Sequence, residues 1–195
     1  ETADELCAIA EALGVGDDEV LLGARATRGA VLDLSKTGAL ESFAVVHFAT
    51  HGLVSGEIEG LAEPALAMTP AADNGSDSGL LTASDIAALR LNADWVVLSA
   101  CNTAAAGSAD DKEALAGLAR AFFLAGTRAM MVSHWPVYSE AAVALTTRAY
   151  RELRAEPSIG RAEALRRSMT ALVEQGGVKA RPAYWAPFVV VGDGG

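Results

Sequence analysis

Three apolar runs, at residues 43–49, 95–100 and 128–134, constrain this chain more than any other feature. None shows the strict alternation of a strand with one wet face. The first two read as strands buried on both faces, the kind found in sheets covered by helices, and the third as a further strand. Helical spacing fills the gaps. Leu6, Ile9, Ala10 and Leu13 mark one face of a first helix that Gly14–Gly16 ends. Thr27 can cap a second helix carrying Val31 and Leu34, and Thr82 or Ser84 can cap a short one running through Leu89. Further helices are predicted at about 112–125, closed by Gly126, and at 138–154 and 160–174, with short strands at 20–22 and 188–191. Residues 53–79, rich in Gly and acids around one strand-like patch at 65–68, read as a mobile excursion. Strands alternating with helices predict an α/β fold: a mainly parallel sheet with right-handed crossovers and helices on both faces. The strand carboxyl ends then share one edge, where open sheets of this type bind ligands.

Length and charge narrow the classes. At 195 residues the chain suits one domain, 1–195, with a full core. Half of it is apolar, as in a compact soluble protein. A formal charge of -10 opposes any sequence-independent grip on nucleic acid, which needs clustered Lys and Arg. The longest apolar stretch, 115–135, is broken by Arg120, Thr127, Arg128 and Ser133, so no membrane span is expected. Cys7 and Cys101 lie far apart without Cys-x-x-Cys or Cys/His ligand spacing, which makes disulfide and zinc readings poor. No cofactor is expected, because no Gly-x-Gly-x-x-Gly, Walker loop or Gly-x-Ser-x-Gly elbow occurs. An unpaired thiol favours a reducing, cytoplasmic setting. Glu1 in place of Met, already inside a helical pattern, reads as the start of a fragment.

Two of the buried runs finish with a reactive side chain, as Phe48-Ala49-Thr50-His51-Gly52 and Leu98-Ser99-Ala100-Cys101-Asn102-Thr103. Neighbouring strands lie about 4.8 Å apart, so an imidazole and a thiol on adjacent strand ends can meet. A thiol needs such a base, since the thiolate is the nucleophile. Gly52, without a Cβ, lets its backbone N–H approach a substrate carbonyl, and the Cys101 amide can supply a second donor. His134 also ends a strand at this edge, and strand order, which the sequence leaves open, bears on the choice; the glycine after His51 favours His51. His47, inside a buried run, reads as a hydrogen-bonded core residue. Cys7 reads as inert filling in an amphipathic helix. Asp110, Asp111 and Glu113 read as acids at a helix start.

Five ordered blocks carry a resemblance: His-Phe-Ala-Thr-His-Gly at 47–52, Leu-Ser-Ala-Cys-Asn-Thr at 98–103, Gly-Leu-Ala-Arg-Ala-Phe at 117–122, Trp-Pro-Val at 135–137 and Tyr-Trp-Ala-Pro-Phe at 184–188. Together they resemble the CHAT domain, which belongs with caspases, separases, legumains and gingipains in one cysteine-peptidase clan. The resemblance implies a caspase-like three-layer sandwich. It implies a catalytic dyad of His51 and Cys101 with Gly52 and Cys101 amides as oxyanion donors, in place of His134. It also implies a protein or peptide substrate, and a regulatory tetratricopeptide-repeat region or partner protein. The alternative is a catalytically weak or inactive module that binds or scaffolds. Clan members prefer single residue types before the cut; Glu57, Asp85, Asp94 and Glu113 are candidates to hold a basic substrate side chain, with His134 beside them. Two departures stand out. Relatives commonly carry an acid soon after Trp-Pro-Val, where this chain has Tyr138 and Ser139 before Glu140. The strand that usually precedes the first helix is missing, which would expose a sheet edge.

Overall fold

The computed structural model describes residues 2–71, 78–99, 109–135 and 138–195, the side chains at Thr2 and 109–115 excepted. In chain order the helices and strands are α1 (Thr2–Leu13), α2 (Arg28–Lys36), β1 (Val45–Phe48), β2 (Gly52–Leu53), β3 (Ala65–Ala67), β4 (Leu80–Thr82), α3 (Ala83–Ala87), β5 (Trp95–Leu98), α4 (Ala109–Leu124), β6 (Ala129–Ser133), α5 (Ser139–Ala155), α6 (Gly160–Gln175), α7 (Pro182–Trp185) and β7 (Phe188–Gly192). The main sheet has the order β1-β5-β6-β7. Its first three strands are parallel, and β7 returns antiparallel to β6, with Met131 opposite Val190. This is the mainly parallel α/β sheet predicted from the alternating pattern.

The runs 95–98 and 129–133 are buried along their whole length, and their side chains divide between two cores. Val96, Leu98, Met130 and Val132 pack with Val31 of α2, Ile86 of α3 and Leu118 and Phe122 of α4. Trp95, Val97, Ala129 and Met131 face the other way, onto Ile9 of α1, Leu145 and Tyr150 of α5 and Leu165 of α6. Period-two alternation within continuously apolar strands therefore produces the three layers. Gly126 closes α4 with φ +107°, and a Cβ there would collide with the Leu91 carbonyl. Only glycine can make that turn into β6.

The excursion after β1 contains more order than its composition indicates. β2, β3 and β4 form a second, antiparallel sheet, with Gly52 opposite Leu66 and Leu66 opposite Leu81. Residues 72–77 of this segment lie outside the described residues. The strand expected at 20–22 does not form: Val20 ends one 3₁₀ turn, Leu22 opens the next, and neither belongs to a sheet. Cys7, expected as filling, is exposed. The packing face of α1 runs through Glu5, Ile9 and Ala12 instead.

The expected caps are present. Thr27 accepts the Ala30 N–H at 3.0 Å to start α2. Thr82 and Asp85 form a capping box at the start of α3, in which the Thr82 hydroxyl accepts from the Asp85 N–H and the Asp85 carboxylate accepts from the Thr82 N–H. Both Asp85 oxygens also accept from the Arg28 guanidinium, at 2.6 and 2.8 Å, which ties α2 to α3. Hydrogen bonding from Arg28, more than any other influence, holds the Asp85 carboxyl below its ordinary range. A depressed carboxylate contributes stability above its unfolded pKa and loses it as pH falls through the folded value. Asp85→Asn should therefore lower the urea midpoint at pH 7 by an amount equivalent to roughly 1 kcal/mol, a deficit that shrinks below about pH 4. Phe122, fully buried between α4 and the sheet, should cost about 3–5 kcal/mol when truncated to Ala, read by the same unfolding experiment.

Candidate active site

β1 and β5 pair in parallel and finish level, with Val45 opposite Trp95 and Phe48 opposite Leu98. The ladder continues one step further through the Ser99 N–H, which donates to the Phe48 carbonyl at 3.1 Å. His51 stands three residues beyond Phe48, and in sequence Cys101 stands three beyond Leu98. Cys101, with Asn102 and Thr103, lies outside the described residues.

Beyond β1 the backbone crosses to the second sheet, and this crossing fixes the main chain around His51. The His51 carbonyl accepts from the Ala67 N–H at 2.8 Å, and the Thr50 hydroxyl donates to the Ala67 carbonyl. The His51 residue is exposed, and no hydrogen bond engages its ring among the described residues. Gly52 is buried and extended at the start of β2. The bond from Ala67 to His51 makes Gly52 and Leu66 a narrow, non-hydrogen-bonded pair of the antiparallel ladder. The Gly52 N–H therefore points away from β3 and is not spent on that ladder.

β5 has β1 on one side and β6 on the other, so a histidine-bearing strand flanks it on each side. His134 follows β6 directly and is exposed; its N–H donates to the Pro187 carbonyl at 2.9 Å, and its ring stacks on Trp135 with centroids 6.5 Å apart. Strand order alone thus does not separate the two histidines.

The acids occupy different places. Glu57 is exposed between β2 and β3, where its carboxylate accepts from the Val54 N–H at 2.9 Å. Asp85 is held by Arg28 at the start of α3. Asp94 precedes β5, at the sheet end remote from His51, and pairs with Arg128 and with Arg161 at 3.8 Å. Glu113 lies in α4, which begins at Ala109, so Asp110 and Asp111 belong to its first turn; these side chains are outside the described set. Glu140, in the first turn of α5, accepts from the Tyr184 hydroxyl at 3.0 Å, and Tyr184 stacks on exposed Tyr138 with centroids 4.9 Å apart.

A polar cluster lies behind this edge, of which the sequence reading anticipated His47 as a hydrogen-bonded core residue but not its partners. His47, its side chain 5% exposed, joins Tyr150 of α5 through Nδ1 at 3.0 Å and the Ser99 hydroxyl through Nε2 at 2.9 Å. Glu5 of α1 places Oε1 3.4 Å from the same Nε2. One signal was available: Glu5 falls one turn before Ile9 on the apolar stripe of the first helix, where a charge is out of place.

Comparison with known proteins agrees with this architecture. The CHAT domain family matches residues 1–193. A mouse protein (Mus musculus), tetratricopeptide repeat protein 28, is 33% identical over 117 residues, which is 58% of this chain and 4% of that protein. The chain therefore spans only a small part of that relative's length. With the three-layer α/β core on one side and a family match over nearly every residue on the other, the chain belongs to the CHAT domain family, within the caspase-like peptidase clan.

Proposed function

We propose that this domain is a cysteine endopeptidase in which Cys101 is the nucleophile and His51 its base. The observation that carries the reading is the level ending of two adjacent parallel strands, Phe48 opposite Leu98, each followed three residues later by one half of the dyad. Adjacent ladders are about 4.8 Å apart, within reach of a short swing by an imidazole whose ring has no competing partner among the described residues.

In this reading the Cys101 sulfur attacks the scissile carbonyl carbon while His51 takes the thiol proton. The carbonyl oxygen becomes an oxyanion held by the Gly52 and Cys101 amides; the ladder geometry that leaves the Gly52 N–H unspent supports its half of this role. The C–N bond then breaks, His51 returns the proton to the leaving amine, and a thioester remains. His51 next takes a proton from water, hydroxide attacks the thioester, and the acid product leaves as the thiol is restored.

For a basic side chain before the cut, we favour Glu57, exposed on the segment that follows Gly52, since Asp85 and Asp94 already pair with arginines. His134 and Trp135, exposed where β6 ends, offer a contact surface on the other side of β5. We assign regulation or substrate delivery to tetratricopeptide repeats, as the name of the mouse relative suggests, and the domain to a reducing cytoplasmic setting. Among the described residues no helix is long and apolar enough to cross a membrane.

Labelling with a peptide acyloxymethyl ketone, mapped by mass spectrometry, should modify Cys101 and be abolished by Cys101→Ala. Adduct persisting elsewhere in that variant removes Cys101 from the role. His51→Ala should lower peptide turnover by about 10²–10⁴-fold. A parent chain that captures a protein partner yet cleaves no member of a mixed peptide library would assign the fold to binding instead.

A further inference from the structure

The cluster behind the active edge is built more elaborately than packing requires. Glu5 is only 5% exposed, and among the described residues its Oε1 has no hydrogen-bond partner other than the approach of His47 Nε2 at 3.4 Å. A buried carboxylate of this kind costs several kcal/mol of desolvation, and an apolar residue of similar volume is often neutral or stabilising in its place. Its presence on the docking face of α1 therefore calls for a reason beyond stability.

The hydrogens can be assigned around the ring. Burial first, and the negative charge of Glu5 second, push the Tyr150 hydroxyl well above its ordinary range, so it stays an O–H. His47 Nδ1 is the acceptor within reach of that O–H, and a buried O–H left unpaired would be costly. Nε2 then carries the ring hydrogen and directs it toward both the Ser99 Oγ and Glu5 Oε1. The Ser99 Oγ in turn faces the Phe48 carbonyl at 3.4 Å, and the Ser99 N–H donates to the same oxygen. Ser99, which follows β5 directly, is thus held by three hydrogen bonds, two to the Phe48 carbonyl and one to His47, two residues before Cys101 in sequence.

We propose that Glu5, His47 and Ser99 form a positioning relay that couples the docking of α1 to the placement of the Cys101 thiol. Glu5 reports that α1 is seated. His47, held on its far side by Tyr150, carries that state to Ser99, and Ser99 sets where the chain leaves β5. A partner that lifts α1 would detune the thiol without touching it. The relay deepens the reading of Cys101 as nucleophile and rests on it; none of its members touches substrate, and all act through the strand end.

Iodoacetamide alkylation near pH 7 tests it on the whole chain, with exposed Cys7 as the internal reference and both sites followed by peptide mapping. Ser99→Ala and Glu5→Leu should each slow Cys101 relative to Cys7 by roughly tenfold, the effect of moving the thiol away from its base. Ser99→Thr, which keeps the hydroxyl, should stay within about twofold of the parent. Thermal unfolding of Glu5→Leu separates the alternatives: a merely structural Glu5 leaves stability equal or higher and Cys101 reactivity unchanged. Parental Cys101 rates in folded Ser99→Ala and Glu5→Leu overturn the relay, and Ser99→Ala decides alone if Glu5→Leu does not fold. His51→Ala in the same assay isolates the dyad. An unchanged Cys101 rate there sinks the dyad while slowed relay variants keep the relay; a slowed rate there beside parental rates in both relay variants sinks the relay only.

Discussion

Everything at the candidate site depends on the parallel pairing of β1 with β5 in one register. That register is fixed by burial on both faces. Val46 and Phe48 belong to the core under α4, whereas Val45 and His47 face α1 and α5, where polar partners wait for the imidazole. A slip of one residue would turn His47 into the apolar core with Leu118 and Phe122 and send Phe48 toward Tyr150 and Glu5. The penalty for an unpaired buried imidazole and carboxylate makes the alternative register costly, so the polar cluster specifies the level ending of the two strands as firmly as the apolar contacts do.

The second sheet takes over where the first stops. β1 ends at Phe48, and within four residues the chain is paired again, at Gly52 with Leu66. Fixing the backbone on both sides of His51 reduces what its ring must lose in freedom on meeting a partner. The same narrow pair turns the Gly52 N–H outward, so one short antiparallel contact constrains both the proposed base and the proposed amide donor.

Much of this was legible in the sequence because its signals are local. The unbroken apolar runs gave the central strands, and Thr27 and Thr82 marked helix starts, since a side-chain cap operates within three residues of its target. The failures were nonlocal. Strands of two and three residues, as in β2 and β4, are too short to show alternation and form only because the tertiary fold brings them together, whereas β3 falls on the strand-like patch read at 65–68. The apolar residues at 20–22 looked like a strand but find no ladder partner between two 3₁₀ turns. Exposure of Cys7 and burial of Glu5 follow from which side of α1 meets α5, a choice its small alanine-rich faces barely announce. The choice between His51 and His134 is nonlocal in another way, because β5 lies between their strands and proximity is shared. The proposal of His51 rests on the glycine after it and on the antiparallel contact that orients that glycine.

The central claim is that strands ending level bring the His51 imidazole and the Cys101 thiol together. A crystal structure of the chain trapped with a peptide acyloxymethyl ketone tests it most directly. The account predicts a covalent bond from the label to the Cys101 sulfur, a His51 ring nitrogen within about 4 Å of that sulfur, and the Gly52 N–H donating to the trapped carbonyl oxygen. A label bonded to another residue, or a Cys101 adduct with His51 turned away and His134 in its place, would contradict it.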